Sequence, residues 1–127
     1  MSKQKHVLIA EDDKFLAEIV GKFLSTQGLR VTIAHNGQET MEVMEKETPD
    51  VVLLDILLPI LDGHGVLKAM KEKDLDCPVI VMSNLSDKRV RKKCEDMHVK
   101  AYLMKSDLDE HTLWLAIQKH LSSPLLS

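Results

Sequence analysis

Aromatic side chains are scarce in this chain: Phe15, Phe23, Tyr102 and Trp114 are the only ones among 127 residues. Base-stacking platforms need exposed rings along a basic groove, and four scattered rings do not supply one. A large positive charge is missing as well. The formal net charge is −3, which gives no reason for attraction to a phosphate backbone, so no direct nucleic-acid partner is expected. Cysteine is limited to Cys77 and Cys94, with no C-x-x-C pair. That spacing does not suit a zinc site or a disulfide framework, and it reads as reduced thiols of a cytoplasmic protein. No apolar run is long enough to cross a bilayer, and the N-terminus MSKQKHVLIAEDD reaches acids too early for a signal peptide. Membrane insertion is therefore not expected. The six histidines have no metal spacing and read as surface or packing residues, and the seven methionines read as core filling. There is no internal repeat and no linker. The length suits one domain, 1–127, with a core of about 5–121 and no output domain after it; the tail SSPLLS is expected to fray.

Five short apolar runs are present: Val7–Ala10, Val31–Ala34, Val51–Leu54, Val79–Met82 and Ala101–Met104. They are mostly continuous rather than alternating, as parallel strands covered on both faces are. Helical patterns lie between them. Leu16, Ile19, Val20, Phe23 and Leu24 share one helical face, and Gly28 follows as a stop. Further helices are expected from Gly37 to about Lys46, after Asp62-Gly63, and over roughly Asp87–Met97. The last uses Leu113, Ala116, Ile117 and Leu121, with Asp107 and Glu110 at capping-box spacing before it. A β-α unit repeated five times implies a parallel sheet with helices on both faces. Right-handed crossovers leave few topologies, the flavodoxin-like order 2-1-3-4-5 among them.

Ligands of such sheets bind beyond the carboxyl ends of the strands. Those ends read Glu11-Asp12-Asp13, Asp55, Ser83-Asn84 and Lys105-Ser106. Asp55 interrupts the run VVLLDILLP, and a carboxylate ending a buried strand needs a partner. With strands 1 and 3 adjacent, three carboxylates converge and call for a cation. An all-oxygen donor set suits Mg²⁺, with Lys105 compensating Asp55 from the other side.

At these residues the sequence resembles the receiver domain of two-component response regulators, of the single-domain chemotaxis-regulator type. The resemblance runs from about Lys5 to Leu121 and rests on VLIAEDD, DILLPILDG, VIVMS and YLMK, in order and at the expected strand ends. It implies that Asp55 accepts a phosphoryl group from a phosphohistidine on a histidine kinase or histidine phosphotransfer protein. Glu11 and Asp12 would position Mg²⁺ together with Asp55 and the backbone carbonyl of Leu57. Ser83 and Lys105 would hold phosphoryl oxygens, and Tyr102 would report the phosphorylation state. Such a domain catalyses only its own phosphorylation and dephosphorylation, and passes the signal to a downstream protein target through the face of helix 4, strand 5 and helix 5.

Taken singly, the residues have plainer readings. Asp13 suits a helix N-terminus, Ser83 a turn, Lys105 the surface and Tyr102 simple packing. The run Lys88–Lys93 reads as a solvated basic face over a thin apolar stripe of Val90, Cys94 and Met97, which implies a loosely docked helix. Three positions depart from the family pattern: Ser106 where Pro is usual, Asn84 where a small residue is usual, and Lys100 where an acid often stands in a dimer face. A monomer or weak dimer is therefore expected. A receiver-like binding module that signals without phosphorylation is the alternative. A flavodoxin-like FMN site is disfavoured because Glu11-Asp12-Asp13 would repel phosphate, and Asp55-Ile56-Leu57 lacks the second Asp of a dehalogenase-type phosphatase.

Overall fold

The computed structural model describes residues 4–121. The expectation that SSPLLS frays lies outside them. Eleven elements follow one another: β1 His6–Ala10, α1 Lys14–Thr26, β2 Arg30–Ala34, α2 Gly37–Lys46, β3 Val51–Asp55, α3 Gly63–Glu72, β4 Val79–Ser83, α4 Lys88–Asp96, β5 Ala101–Met104, a short 3₁₀ turn Lys105–Asp107, and α5 Glu110–Leu121. All strand pairs are parallel, in the order β2-β1-β3-β4-β5. The fold is flavodoxin-like α/β, as the alternation of runs implies.

The three inner strands are buried throughout, which is why their sequences show no polar alternation. Their side chains still alternate between faces. Leu8, Val52, Leu54 and Val81 point to one core, with Met41, Met44, Val66, Met70 and Cys94 from α2, α3 and α4. Ile9, Leu53, Ile80 and Met82 point to the other, with Ala17, Val20, Leu24, Leu113 and Ile117 from α1 and α5. Burial of each such side chain contributes about 1.5–3 kcal/mol. No helix among the described residues is long and apolar enough to cross a membrane.

Helix starts follow a single device. Asp13, Asn36, Asp62 and Asp87 each accept a backbone N–H of the first turn. The capping pair expected from Asp107 and Glu110 does not form. Residues 105–107 are taken up in the 3₁₀ turn, and Asp109 caps α5 by accepting the Thr112 N–H at 2.7 Å. The expected apolar face of α1 is met in large part: Val20 and Leu24 are buried and Leu16 and Phe23 pack against the core, but the buried face also takes in Ala17 and Gly21. Ile19 is 49% exposed. A small residue decides the contact with β2: a Cβ on Gly21 would meet Val31 Cγ1 at 3.3 Å and Ile33 Cδ1 at 3.4 Å, so α1 approaches β2 over Gly21.

The loop from β3 to α3 is held against α2. A Cβ on Gly37 would fall 1.8 Å from the Leu61 carbonyl oxygen, so only glycine fits there. Within this loop Ile60 takes a φ of 71°, and its side chain is 76% exposed.

Candidate functional site: an acidic cluster at the carboxyl edge of the sheet

The order β2-β1-β3 makes the ends of β1 and β3 neighbours: Ala10 pairs with Leu54, so the next residues, Glu11 and Asp55, emerge side by side. Oxygens of Glu11, Asp12 and Asp55 come within 4.8 Å of one another. Glu11 and Asp55 are buried, with 1% and 4% exposure, whereas Asp12 is exposed and opens the site to solvent.

Lys105, the residue after β5, reaches across to both buried acids. Its Nζ lies 3.0 Å from Asp55 Oδ2 and 2.5 Å from Glu11 Oε1. The remaining oxygens are held by backbone: Asp13 N–H donates to Glu11 Oε2 at 3.1 Å, and Leu57 N–H to Asp55 Oδ1 at 3.1 Å. Burial pushes the Glu11 carboxyl above its usual range, outweighing Lys105 and the Asp13 N–H, which act the other way. Burial disfavours the Lys105 ammonium, but its bonds to Glu11 and Asp55 outweigh that and raise its pKa. No cis peptide occurs among the described residues, and with Ser106 after it Lys105 still reaches both acids.

Three carboxylates face one ammonium, so two negative charges remain without a cation. The donors are all oxygen, and one of the three acids is open to water. This set fits a divalent, oxygen-seeking ion such as Mg²⁺, which binds through few carboxylates and keeps several waters.

Ser83 ends β4 and is buried. Its Oγ accepts the Leu85 N–H at 3.0 Å, which leaves the hydroxyl proton free to donate. Asn84, beside it, is exposed. Tyr102, in β5, is half-buried and donates from its hydroxyl to the Leu85 carbonyl at 2.8 Å. Asp13 does not join the cluster: its side chain caps α1 through the Leu16 N–H.

Sequence reasoning missed two contacts. His35 Nδ1 lies 3.1 Å from the Glu11 carbonyl oxygen, a loop contact with no periodic signal. Arg91, read as part of a solvated face, lies with its guanidinium carbon 5.4 Å from the centroid of the Tyr102 ring. The thinness of the α4 stripe is as expected, since Cys94 is its one buried residue.

Comparison with known proteins agrees with this geometry. The family model of the response regulator receiver domain matches residues 7–118, and the chain belongs to that family. It is a receiver domain with the acidic Glu11, Asp12 and Asp55 cluster typical of the phosphorylation and Mg²⁺ site, and not a classical enzyme. It is 31% identical over 100 residues to response regulator RR06 of Streptococcus pneumoniae, covering 79% of this chain and 46% of that one. It is 34% identical over 99 residues to a cyclic di-GMP phosphodiesterase of Thermotoga maritima, covering 78% and 26%. A relative from Guillardia theta named as a transcriptional regulator is 38% identical over 87 residues, covering 68% and 34%. The chain thus spans about a quarter to a half of the length of these curated relatives. Among solved structures, a CheY-like receiver domain protein from Methanospirillum hungatei superposes with a TM-score of 0.87 at 26% identity, covering 94% of each chain.

Proposed function

We propose that this receiver domain takes a phosphoryl group onto Asp55 from a phosphohistidine of a histidine kinase or phosphotransfer protein. The phosphorylated domain then presents an altered face of α4, β5 and α5 to a downstream protein. The observation that carries the reading is Asp55 itself: a buried strand-end carboxylate in an acidic cluster, held 3.0 Å from the Lys105 ammonium.

In the transfer, a carboxylate oxygen of Asp55 attacks phosphorus, an O–P bond forms, and the N–P bond to the donor imidazole breaks. The attack brings two anions together, so its barrier is set by charge. Lys105 offsets that repulsion and then pairs with a phosphoryl oxygen. Ser83 donates its free hydroxyl proton to another. Glu11, Asp12 and Asp55, with the Leu57 carbonyl, would hold Mg²⁺, which would supply positive charge to offset the negative charge developing on the phosphoryl group. Hydrolysis of the acyl phosphate by water returns Asp55 to its starting form. Tyr102 follows the change through Leu85, whose carbonyl it holds.

Incubation with acetyl phosphate and Mg²⁺, followed by intact mass measurement, tests this. One phosphoryl group per chain is expected, with no labelling when EDTA replaces Mg²⁺ and none in Asp55→Asn. No labelling under these conditions would overturn the reading in favour of a receiver-like module that signals without phosphorylation.

A further inference from the structure

The peptide of Leu85 is gripped from two sides. Its N–H donates to Ser83 Oγ at 3.0 Å, and its C=O accepts from the Tyr102 hydroxyl at 2.8 Å. Tyr102 is in turn covered by a residue of the helix that follows: the Arg91 guanidinium carbon is 5.4 Å from the ring centroid. Apart from Cys94, α4 buries little of its own surface. Val90, Met97 and Tyr102 pack only at the margin of the core on this side. A helix so lightly held is placed by the few directional contacts that it makes.

We propose that Arg91 is a positioning residue of the switch. Its cation over the ring keeps Tyr102 in the half-buried pose that holds the Leu85 carbonyl, so that α4, Tyr102, Leu85 and Ser83 move as one linked set. The guanidinium is well suited to this task because it is planar, permanently charged and weakly hydrated, and so stacks on an aromatic face. Its other contact, with Glu95 at 3.9 Å and exposed on both sides, is long and places little constraint on it. The neighbouring cations are turned elsewhere: Lys92 pairs with Asp96 at 2.8 Å and Arg89 with Asp87 at 3.0 Å. Coupling of this kind is reciprocal. A partner carboxylate that draws Arg91 off the ring loosens Leu85, and a change at Ser83 reaches Arg91 by the same path. The inference rests on the proposed role of Ser83 and Tyr102 in signalling, but the contact itself is tested without phosphorylation.

Tyr102 is the only tyrosine, so its ring resonances are unambiguous in the full chain. Arg91→Met keeps the aliphatic stem and removes the charge. It is expected to shift the Tyr102 ring signals and to speed exchange of the Leu85 amide by about two- to fivefold, the factor that an exposed cation–π contact represents. Arg91→Lys is expected to recover at least half of that loss. Lys92→Met, one position along the same helix, is expected to change neither. Unchanged ring signals and exchange in Arg91→Met overturn the proposal. So does an Arg91→Lys variant indistinguishable from Arg91→Met, or an equal effect of Lys92→Met. A second measurement adds Mg²⁺ and beryllofluoride: the amide shifts across residues 85–99 in Arg91→Met should fall below half of the wild-type response. A wild type that shows no response at Asp55 would overturn the phosphoryl-switch reading instead, and the first measurement alone would then decide the role of Arg91.

Discussion

Lys105 Nζ stands 3.0 Å from Asp55 Oδ2, and the same ammonium pairs with Glu11. One cation therefore serves two buried carboxylates. Lys105→Met removes it and leaves both acids without a counter-charge. We expect a loss of about 1–3 kcal/mol in urea unfolding without metal, the cost of stranding buried charged groups. Millimolar Mg²⁺ should restore part of it, because a divalent ion at Glu11, Asp12 and Asp55 replaces the missing charge. A variant as stable as wild type without Mg²⁺ would show that the ion pair carries no net stability.

Asp55→Asn should behave differently. The amide oxygen can still accept the Leu57 N–H, and Lys105 retains Glu11. Relief of repulsion among the acids opposes the lost bond to Lys105, so the change in stability should lie within about 1 kcal/mol. Phosphoryl labelling should vanish. A thermal melt far below wild type would give Asp55 a structural role beyond the Lys105 bond.

His6 makes stability depend on pH at the opposite edge of the sheet. Its ring is buried, Nε2 lies 2.8 Å from Thr32 Oγ1, and Nδ1 has no partner. Burial, aided by Arg30 and opposed by Glu47 and Asp50, lowers its pKa below the ordinary 6.5. The unfolded chain therefore takes up a proton more readily than the folded one. The stabilisation from neutral His6 is present above pH 6.5 and declines as pH falls from there through the lowered native value. Urea midpoints between pH 7.5 and 5 should show the decline in wild type and a flatter profile in His6→Gln. Equal slopes would assign the dependence to other groups.

Ile60 holds a φ of 71° with its side chain exposed. The left-handed region costs an L-residue roughly 1–2 kcal/mol, and a β-branched one is a marked outlier there. Glycine relieves this but loses more entropy on folding, roughly 0.5–1 kcal/mol. Ile60→Gly should therefore gain about 0.5–1 kcal/mol, seen as a higher melting temperature. A lower one would mean that the exposed side chain packs more than its accessibility implies.

The parts that sequence made legible share a physical cause. Strands buried on both faces leave unbroken apolar runs, so β1, β3 and β4 are visible, and whatever polar residue ends such a run is conspicuous: Glu11, Asp55 and Ser83 all stand out for this reason. Lys105 is legible only because β5 precedes it. What was not legible depends on shape rather than on pattern. Ala17 and Gly21 join Val20 and Leu24 on the buried face of α1 because they are small, and a pattern of large apolar residues does not show them. Asp109 rather than Asp107 caps α5 because an unforeseen 3₁₀ turn intervenes. Arg91 sits among five other cationic or apolar residues in Lys88–Lys93, and nothing in its spacing separates the one over Tyr102 from those facing water.

Ser83 offers the sharpest test of how a change at Asp55 would travel. Its Oγ holds the Leu85 N–H while its own proton remains free. In the proposed mechanism that proton turns to a phosphoryl oxygen, and the hydroxyl moves with it. Leu85 must follow or lose its bond, and Tyr102, bound to the Leu85 carbonyl, is drawn along. The phosphoryl group acts here only through its different contacts with the two arrangements. Ser83→Ala should still be labelled by acetyl phosphate, because Asp55 and Lys105 are intact. Its Leu85 amide should exchange faster from the start, having lost its acceptor. On adding beryllofluoride and Mg²⁺, the change in hydrogen exchange across residues 84–104 should be well under half of that in wild type. A response of wild-type size in Ser83→Ala would show that the signal reaches α4 by a route that bypasses the hydroxyl.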